Sequence, residues 1–532
     1  MAEAQFVRPD AGQLLEQQRI VPLMPAPLET PSPAPAAPAA SPEEDVKIPV
    51  SQLRILGATA FSAESLHALV QEGEGRSLSL AALQALAARI THYYRERGYI
   101  LAHALIPAQE PTDNVIDIRV LEGRIGEVSV TEQKIAGGAA LAPLADLKSG
   151  DVAQIGNLER ALLLLSDLPG MSVSSTLKPG STQGTSDLQV DVTPGAWMTG
   201  RIDVDRNGDR FSGKNRIGTT LNFNNPLQLG DLASLQARAS DEGMHFVHGS
   251  WQLPVNRYGT RMGISASTLH YALGDTLAPL GLKGDAKTVS LSVLHPLLRS
   301  RRANLNAEFS VDHSEMEDRV TASGVSINKR ADVWNAGLSG DWLDRWQGST
   351  AWSVKFTQGQ LWLDKETAQI DAVSAGTAGS FSKWSWALRR LQALTTTTEV
   401  LLSVSGQLAN KNLDSSQKMG LGGFYSVRAY PQGEAVGDQG YLATIELRHT
   451  LAFVQGWQGI VFADHGHIAI SRQPWIVGNN SRTLTGAGTG LNYRGQHGWS
   501  FQTAIAWRID SGKPLADQDR MPRLWLQIGR EL

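Results

Sequence analysis

The sequence contains 532 residues, which is enough for several domains rather than one compact unit. Its formal net charge of −4 and isoelectric point near 6.3 provide no basic surface, which argues against nucleic acid as a partner. The absence of cysteine excludes disulfides, thiolate nucleophiles and cysteine-ligated metals, and it suits the oxidising bacterial periplasm and outer membrane. No run of about 18 apolar residues is present, so a transmembrane helix is excluded.

Residue types are distributed unevenly along the chain. All 14 tryptophans lie between Trp197 and Trp525, and ten of the 24 prolines lie in the first 50 residues. The N-terminal stretch MAEAQFVRPDAGQ lacks the basic start and apolar run of a signal peptide. Two alternatives follow: a cytosolic protein, or a mature chain numbered from an added Met. The strand pattern described below favours the second.

The N-terminal segment, residues 1–21, contains a short predicted helix from about Asp10 to Ile20 with apolar residues at Leu14, Leu15 and Ile20. Such a helix is too short to be stable alone in water and needs a docking surface. A disordered tail is the alternative. Residues 22–46 form a Pro/Ala-rich linker that is expected to be extended.

Two similar units follow, at residues 47–123 and 124–195, each with the predicted order β-α-α-β-β. The first has a strand IPVSQLRILG, a short helix with Ser62 as N-cap, a longer helix from about Leu80 to Arg97, and strands YILAHALIP and NVIDIRVLEG. The second has EVSV, a short Ala/Leu helix near residues 139–147, NLERALLLLSDLPG, MSVSSTLKPG and TSDLQVDVTPG. A small α+β unit with a free sheet edge commonly binds extended peptide by strand addition. The alternative is a pair of rigid spacers.

From residue 196 to residue 532 the pattern changes to segments of about ten residues that alternate in hydrophobicity. In WSFQTAIAWRID, residues 499–510, every second residue from Trp499 to Ile509 is large or β-branched, and tryptophans stand near both ends. An apolar face with interfacial aromatics is what a transmembrane strand requires. Roughly 16 such segments predict an antiparallel membrane β-barrel. A soluble β-sandwich would need inward aromatics without this banding.

Two stretches resemble ligand sites but are rejected. GDRFSGKN, residues 208–215, nearly matches a phosphate-binding loop, but Asn215 replaces the magnesium-binding Ser/Thr and a strand pattern follows. In DHGH, His465 and His467 face away from Asp464 if the segment is a strand, so the three side chains cannot converge on a metal. No nucleophile–base arrangement stands out. The sequence therefore predicts no catalytic, cofactor or metal site.

One long irregular segment is unusual in composition. GGFYSVRAYPQGEAVGDQGY, residues 422–441, has the glycines and proline of a loop, yet it carries two aromatic pairs around Arg428. Its residues Val427, Arg428, Ala429 and Tyr430 resemble the VRGY signature of the TpsB transporters of two-partner secretion. In that family the signature lies on the sixth extracellular loop, which folds back into the barrel. VFADHG, from residue 461, supplies Phe462 and Asp464 of the family's F/G-x-D partner motif.

The resemblance covers essentially the whole chain and implies its architecture. It implies an N-terminal plug helix at 1–21, a linker at 22–46, POTRA domains at 47–123 and 124–195, and a barrel at 196–532 with an infolded loop at 411–438. Two departures stand out. Ala429 replaces the signature glycine, which adds strain only if that position needs φ > 0. Leu532 replaces the usual terminal aromatic.

Alternation along the strands allows a physical test of the motif pair. If Val461 faces lipid, Phe462 and Asp464 face the lumen, and on the preceding strand Glu446 and Arg448 also point inward. Asp464 is then placed to accept a charge-assisted, bidentate bond from Arg428. The alternative is a solvated loop arginine, with Asp464 balanced by Arg448.

The resemblance implies an outer-membrane pore, with POTRA domains in the periplasm, that exports one large β-rich exoprotein of the TpsA type, recognised through its N-terminal secretion domain. It also implies a monomer in contact with outer-membrane lipid and inserted by the barrel-assembly machinery. A barrel-assembly insertase is the main alternative, although such proteins usually carry more POTRA domains and lack the plug helix and linker. A passive or ligand-gated porin would need no POTRA domains.

Overall fold

The structure is a computed structural model, and it describes most of the chain. The described residues are 8–18, 47–132, 140–182, 184–452 and 454–532. The predicted linker at residues 22–46 lies outside them, as do the ends of the predicted plug segment. The helix predicted from about Asp10 to Ile20 is observed as α1 (Ala11–Gln18). The chain divides into two compact units: residues 30–195 form one, and the N-terminal segment groups with the strand-rich region in the other.

The first part of the unit at 30–195 has two more strands than predicted. In chain order it contains β1 (Lys47–Val50), β2 (Gln52–Leu56), α2 (Ala63–His67), β3 (Arg76–Ser79), α3 (Leu80–Glu96), β4 (His103–Leu105) and β5 (Val115–Leu121). The prediction of one strand over IPVSQLRILG was wrong, because β1 pairs antiparallel with β3 while β2 pairs parallel with β5. The chain thus changes sheets at Ser51. Ser62 caps α2 as predicted, accepting a bond from the Ser65 backbone N–H.

The second part repeats the arrangement of the first. Its elements are β6 (Arg124–Glu132), α4 (Ile155–Ser166), β7 (Met171–Pro179) and β8 (Thr185–Pro194). A 3-10 turn at Ala142–Asp146 takes the place of the predicted short helix. The sheet orders are β2-β5-β4 and β6-β8-β7, and in both the last strand pairs parallel with the first and antiparallel with the middle one. The predicted repeat is therefore present in the sheet topology, which leaves β4 and β7 at sheet edges.

A buried carboxylate secures the end of the first repeat. Glu122, just beyond β5, accepts bonds from the backbone N–H groups of Thr59 (2.5 Å) and Ala60 (2.7 Å), from the Tyr94 hydroxyl (2.9 Å) and from the Thr59 hydroxyl. Burial raises the pKa of Glu122, but these donors outweigh it and leave the pKa below its ordinary value. The stabilisation is therefore present above the ordinary glutamate pKa, and it is lost as the pH falls through the lowered one.

The strand-rich region forms a closed barrel. Its first eleven strands are β9 (Met198–Asp205), β10 (Arg216–Asn224), β11 (Leu232–Ser240), β12 (His245–Pro254), β13 (Arg261–Ala272), β14 (Leu282–Arg299), β15 (Ala303–Val320), β16 (Val325–Leu343), β17 (Gly348–Leu363), β18 (Gly379–Ala393) and β19 (Thr398–Ala409). A helix, α5 (Lys365–Ala372), stands between β17 and β18. The remaining strands are β20 (Met419–Leu421), β21 (Ala435–Gly437), β22 (Gln439–Thr450), β23 (Trp457–Ala469), β24 (Ser481–Arg494), β25 (Trp499–Arg508) and β26 (Arg523–Glu531).

All strands from β9 to β26 except β20 and β21 form the wall, and each pairs antiparallel with the next until β26 returns to β9. The wall therefore has 16 strands, which confirms the predicted membrane barrel. Outward and inward positions alternate as predicted: in β25, Trp499 and Trp507 are exposed whereas Ala504 and Ala506 are buried. The first wall strand, β9, begins at one end of the barrel, and the last, β26, ends there. The other connections at this end are turns of three to seven residues, and we call it the turn end.

The opposite end, here called the loop end, carries the longer connections. They are residues 206–215, 241–244, 273–281, 321–324, 364–378, 410–438, 470–480 and 509–522. The rejected phosphate-loop match at residues 208–215 lies in the first connection and is followed by β10, a strand, as expected. The motif-bearing segment is the sixth and longest connection. It contains the small hairpin β20–β21.

Candidate functional site: the infolded loop and the N-terminal helix

The connection at residues 410–438, here called the infolded loop, is packed inside the barrel. Leu421, Val427 and Tyr430 are completely buried, and they form an apolar cluster with wall residues of β23 to β26. Gly422 and Gly423 adopt φ values of 91° and 110°, which side-chain-bearing residues rarely adopt, and they reverse the chain after β20. The loop therefore lines the lumen, which explains its unusual aromatic content.

Arg428 and Asp464 meet at the centre of this cluster. The guanidinium donates from Nε to one Asp464 oxygen and from Nη2 to the other, both at 2.8 Å, and the Arg428 backbone N–H donates to the same carboxylate at 3.1 Å. Both residues are nearly shielded from solvent, at 7% and 1% exposure. A bidentate charge-assisted pair fixes orientation as well as distance, so the loop is held in one register against β23.

Three further predicted residues complete this charge network. Glu446 on β22 accepts from Arg428 Nη1 at 2.6 Å and from Arg448 Nε at 2.8 Å. The Arg428 guanidinium lies 3.3 Å from the centre of the Phe462 ring, within range of a cation–π interaction. Arg448 thus pairs with Glu446 and not with Asp464. The structure places every predicted motif residue of β22 and β23 on the lumen side.

Ala429, which replaces the signature glycine, is not among the residues with positive φ. The substitution therefore adds no left-handed backbone strain. Its methyl group instead packs against Gly486 of β24, where an added Cβ would lie only 2.4 Å from the Ala429 Cβ. Its neighbour Tyr430 donates to the Gly512 carbonyl at 2.9 Å and to the Asp510 carboxylate. Ala429 thus requires a glycine on the facing wall strand.

This pair allows a precise test of how the loop seats. We expect Gly486→Ala to displace the loop and reduce the secretion that the family resemblance implies, because the new methyl would lie only 2.4 Å from the Ala429 Cβ. The double variant Ala429→Gly/Gly486→Ala is expected to recover most of the loss, since the nearest remaining atom would be the Trp507 carbonyl oxygen at 3.2 Å, which has to shift by only a few tenths of an ångström. Gly249→Ala, which has no atom within 4 Å of the new Cβ, is the matched control. Equal secretion by Gly486→Ala and the control would contradict this packing.

Sequence reasoning missed several other anchors of the infolded loop. Trp525 Nε1 donates to the Arg428 carbonyl at 2.7 Å. Glu434 pairs with Arg482 at 2.5 Å and accepts from the backbone N–H groups of Leu515 and Ala516 in the last connection. The fully buried carboxylate of Asp438 forms an ion pair with the Lys418 ammonium and accepts hydrogen bonds from the backbone N–H groups of Leu413 and Arg472.

The helix α1 lies against the same loop and the wall. Ala11, Leu14 and Leu15 are buried in an apolar cluster with residues of β12 to β19. At its N-terminal end, the Asp10 carboxylate accepts from Lys329 at 3.1 Å and from the Ser415 hydroxyl at 2.7 Å. The docking surface that this short helix needs is therefore the barrel interior.

Lys329 of β16 joins the helix, the loop and the wall. Its ammonium lies 3.1 Å from Asp10 on the N-terminal segment, 3.2 Å from Asp414 on the infolded loop and 3.6 Å from Asp318 on β15. Asp318 also accepts from the Ala11 backbone N–H at 2.8 Å. One ammonium group thus contacts carboxylates on three separate segments.

The helix stands between two cavities. One, of about 600 Å³, lies towards the loop end and includes Asp10 and Gln13 in its lining. The other, of about 710 Å³, includes Leu15, Glu16 and Gln18 of the opposite part of the helix. The lining of the second cavity combines apolar side chains with a set of serine hydroxyls, among them those of Ser265, Ser267, Ser290, Ser310, Ser353 and Ser385.

The rejected metal site behaves as an ordinary strand. Asp464 faces the lumen, whereas His465 and His467 are on the other face and contact the hydroxyls of Thr485 and Thr483. In the described parts of the chain, no group of three or more histidine, aspartate or glutamate side chains is arranged to hold a metal ion. No helix within those parts is long and apolar enough to cross a membrane.

A closed 16-stranded antiparallel barrel with an infolded sixth loop, preceded by a repeated α+β unit, defines a membrane β-barrel protein. A profile of the family described as haemolysin secretion/activation protein ShlB/FhaC/HecB matches residues 184–493, and a ShlB-type POTRA domain profile matches residues 48–123. The chain belongs to this family. It is a two-partner secretion transporter of the outer membrane, and its POTRA domains are periplasmic.

Several relatives match over most of the chain. The heme/hemopexin transporter protein HuxB of Haemophilus influenzae is 26% identical over 98% of this chain and 94% of its own length. The outer membrane transporter CdiB of Escherichia coli is 25% identical over 88% of this chain and 79% of its own length.

Solved structures show the same fold. CdiB from Escherichia coli superposes with a TM-score of 0.77 at 21% identity, over 99% of this chain and 100% of that one. BamA from Haemophilus ducreyi, lacking POTRA domains 1–3, gives 0.53 at 14% identity, over 91% and 100% of the two chains. The weaker likeness to BamA does not favour the barrel-assembly alternative.

Proposed function

We propose that this transporter passes one large, β-rich exoprotein of the TpsA type through its lumen in an extended form, after α1 has left. The observation that carries this proposal is the position of α1 between the two cavities. With the helix removed, these cavities would join into a path along the barrel. The serine and threonine hydroxyls in the cavity of about 710 Å³ offer hydrogen bonds of one general type, which suits a chain that must slide past without being held.

In this proposal the segments of the chain have separate roles. Residues 1–21 form a removable plug, and the linker at residues 22–46 keeps the plug attached after it leaves. The POTRA domains, residues 47–123 and 124–195, receive the N-terminal secretion domain of the exoprotein. The barrel, residues 196–532, forms the pore, and Arg428 with Asp464 holds the infolded loop against the wall.

The POTRA role rests on the sheet edges. In the second repeat, β7 lies at a sheet edge and presents exposed small polar residues, including Ser174, Ser175 and Thr176. An unpaired edge offers backbone donors and acceptors to an incoming strand. We propose that the exoprotein segment adds there as a strand, because closure of the barrel leaves no free edge in the barrel wall.

The energy for transport has to come from the exported chain, because the periplasm supplies no ATP. We propose that folding of the exoprotein outside the cell drives its movement, and that the transporter has no catalytic activity of its own. It acts as a monomer that the barrel-assembly machinery inserts into the membrane.

The experiment is an export assay in Escherichia coli that expresses this chain together with a large β-rich exoprotein of the TpsA type from the same genome. We expect the exoprotein in the medium when the chain is present and in the periplasm when it is absent. The amounts of the resident outer-membrane barrels should not change. Loss of those barrels on depletion of the chain in its own host, with no effect on the exoprotein, would instead identify an insertase.

A further inference from the structure

Five apolar side chains project at the loop end of the barrel without a partner. Ile370 and Val373 stand on and just after α5, at 68% and 87% exposure, and Val477 in the seventh connection is 99% exposed. Trp475 and Ile476 beside Val477 are about half exposed. We call these residues the exit rim: Ile370, Val373, Trp475, Ile476 and Val477. Exposed apolar groups of this size in one place usually mark an interaction site.

The segments that carry the exit rim are firmly anchored. At the start of α5, the Asp364 side chain accepts from the backbone N–H groups of Thr367 and Asn328, both at 2.9 Å. At its end, the Asp371 side chain accepts from the backbone N–H groups of Thr377 (2.9 Å) and Ala378 (2.8 Å). The apolar side chains are therefore displayed on a fixed support.

The seventh connection is held in the same way, and the infolded loop joins the two supports. Asn412 of the infolded loop donates to the carbonyls of Ala375 (2.7 Å) and Gln473 (2.8 Å) and accepts from the Gln473 backbone N–H at 2.6 Å. Asn480 bonds both backbone groups of Ser471 at the base of the connection. Asn412 thus fixes the distance between the α5 segment and the seventh connection, which carry the two parts of the exit rim.

The rim faces the pore. Four of its members, all except Val373, line the loop-end cavity of about 600 Å³. The same cavity is lined by Asp10 and Gln13 of the N-terminal segment and by Lys418 and Val436 of the infolded loop. A polypeptide that replaces α1 in the lumen must therefore pass this surface as it leaves the barrel. A membrane lipid, by contrast, would contact the outer wall.

We propose that the exit rim is a docking site for the emerging exoprotein, which it holds through alternating apolar residues while the first strands form outside. This rests on the proposed export function and adds a binding site at the cell surface. A β-forming segment presents apolar residues at every second position, and a fixed apolar support shields them until a second strand covers them. The rim would thereby also disfavour backward sliding.

Binding is tested with a unique label, because the chain contains no cysteine. Val477→Cys carries an environment-sensitive fluorophore, and Leu280→Cys, an exposed apolar residue in the third connection, is the matched control. The probe is a 12-residue peptide of alternating valine and threonine with terminal lysines, added to the full-length protein in detergent. We expect a saturable blue shift at position 477 only, and none with a serine/threonine peptide. Equal responses at both positions, or none, would overturn the proposal.

Two further measurements separate the competing occupants. A blue shift at position 477 on reconstitution into vesicles of phosphatidylethanolamine and lipopolysaccharide, before peptide is added, would assign the rim to the membrane instead. In the export assay, Ile370→Ser/Ile476→Ser/Val477→Ser should lower secreted exoprotein about threefold or more, since a few apolar anchors dominate such sites. Pore conductance should stay unchanged, and Leu280→Ser should secrete normally. Normal secretion by the triple variant would reject the rim but leave the export function intact.

Discussion

Arg428→Ala is expected to reduce secretion about tenfold or more while the barrel still inserts in the outer membrane. The substitution leaves the carboxylates of Asp464 and Glu446 buried and without their shared cation. Breaking a buried ion pair by removing one partner typically costs about 3–5 kcal/mol. A loss of that size lowers the ratio of docked to undocked loop by a factor on the order of 100 or more. Secreted exoprotein and the heat-modifiable gel mobility of the folded barrel are the two measurements.

Companion variants separate charge from geometry. Arg428→Lys keeps the charge but cannot form the bidentate bond, so an intermediate loss is expected. In Asp464→Ala, Arg428 keeps its 2.6 Å bond to Glu446, so the loss should be smaller than in Arg428→Ala. The double variant should be no worse than Arg428→Ala alone, because the pair acts as a unit. Arg319→Ala, which removes a half-exposed arginine paired with Glu317, is the control and should secrete normally.

Wild-type secretion by both Arg428→Ala and Asp464→Ala would contradict a role for the pair in transport. Loss of the folded barrel itself would show that the pair serves barrel stability rather than loop position. The Gly486→Ala and Ala429→Gly/Gly486→Ala variants distinguish these cases, because they change the packing of the loop against β24 without changing any charged residue.

Regular alternation made most of the barrel predictable. In β25 every inward residue is polar or alanine and every outward one is large or β-branched, so a single strand already specifies its two faces. The short N-terminal helix was predictable from Leu14 and Leu15, but its docking surface was not, because the contacts of Asp10 with Lys329 and Ser415 join residues more than 300 positions apart. The periodicity of a local sequence does not predict contacts between residues so far apart.

The residues of the candidate site were likewise only partly predictable from the sequence. Arg428, Phe462 and Asp464 were found through their motifs, and alternation placed Glu446 and Arg448 on the lumen side. Trp525 was missed because its partner is a backbone carbonyl of a distant segment, and Glu434 was missed because both Arg482 and its backbone partners lie far away in the sequence. The break at Ser51 was missed because a continuous apolar run does not show that its two halves pair with different strands.

Lys329→Met is expected to raise the single-channel conductance of the purified protein in planar bilayers, whereas Asp10→Asn should leave it close to wild type. The reason is the charge count around this lysine. Without the ammonium, Asp10, Asp318 and Asp414 repel one another, and the N-terminal segment and the infolded loop both lose their shared contact. With Asp10 neutralised, Lys329 still has two carboxylates. An asparagine at that position still caps the helix and accepts from Ser415.

A deletion of residues 1–20 sets the upper limit of conductance, because it removes the helix that separates the two cavities. Leu14→Glu should approach this limit, since Leu14 is fully buried in the apolar cluster that seats the helix. Lys329→Met/Asp10→Asn should fall below Lys329→Met, because one of the three repelling charges is gone. A deletion that conducts like the wild type would show that α1 does not close the pore. An Asp10→Asn variant as open as Lys329→Met would show that the helix is held by its own ion pair rather than by the balance of charge among three segments.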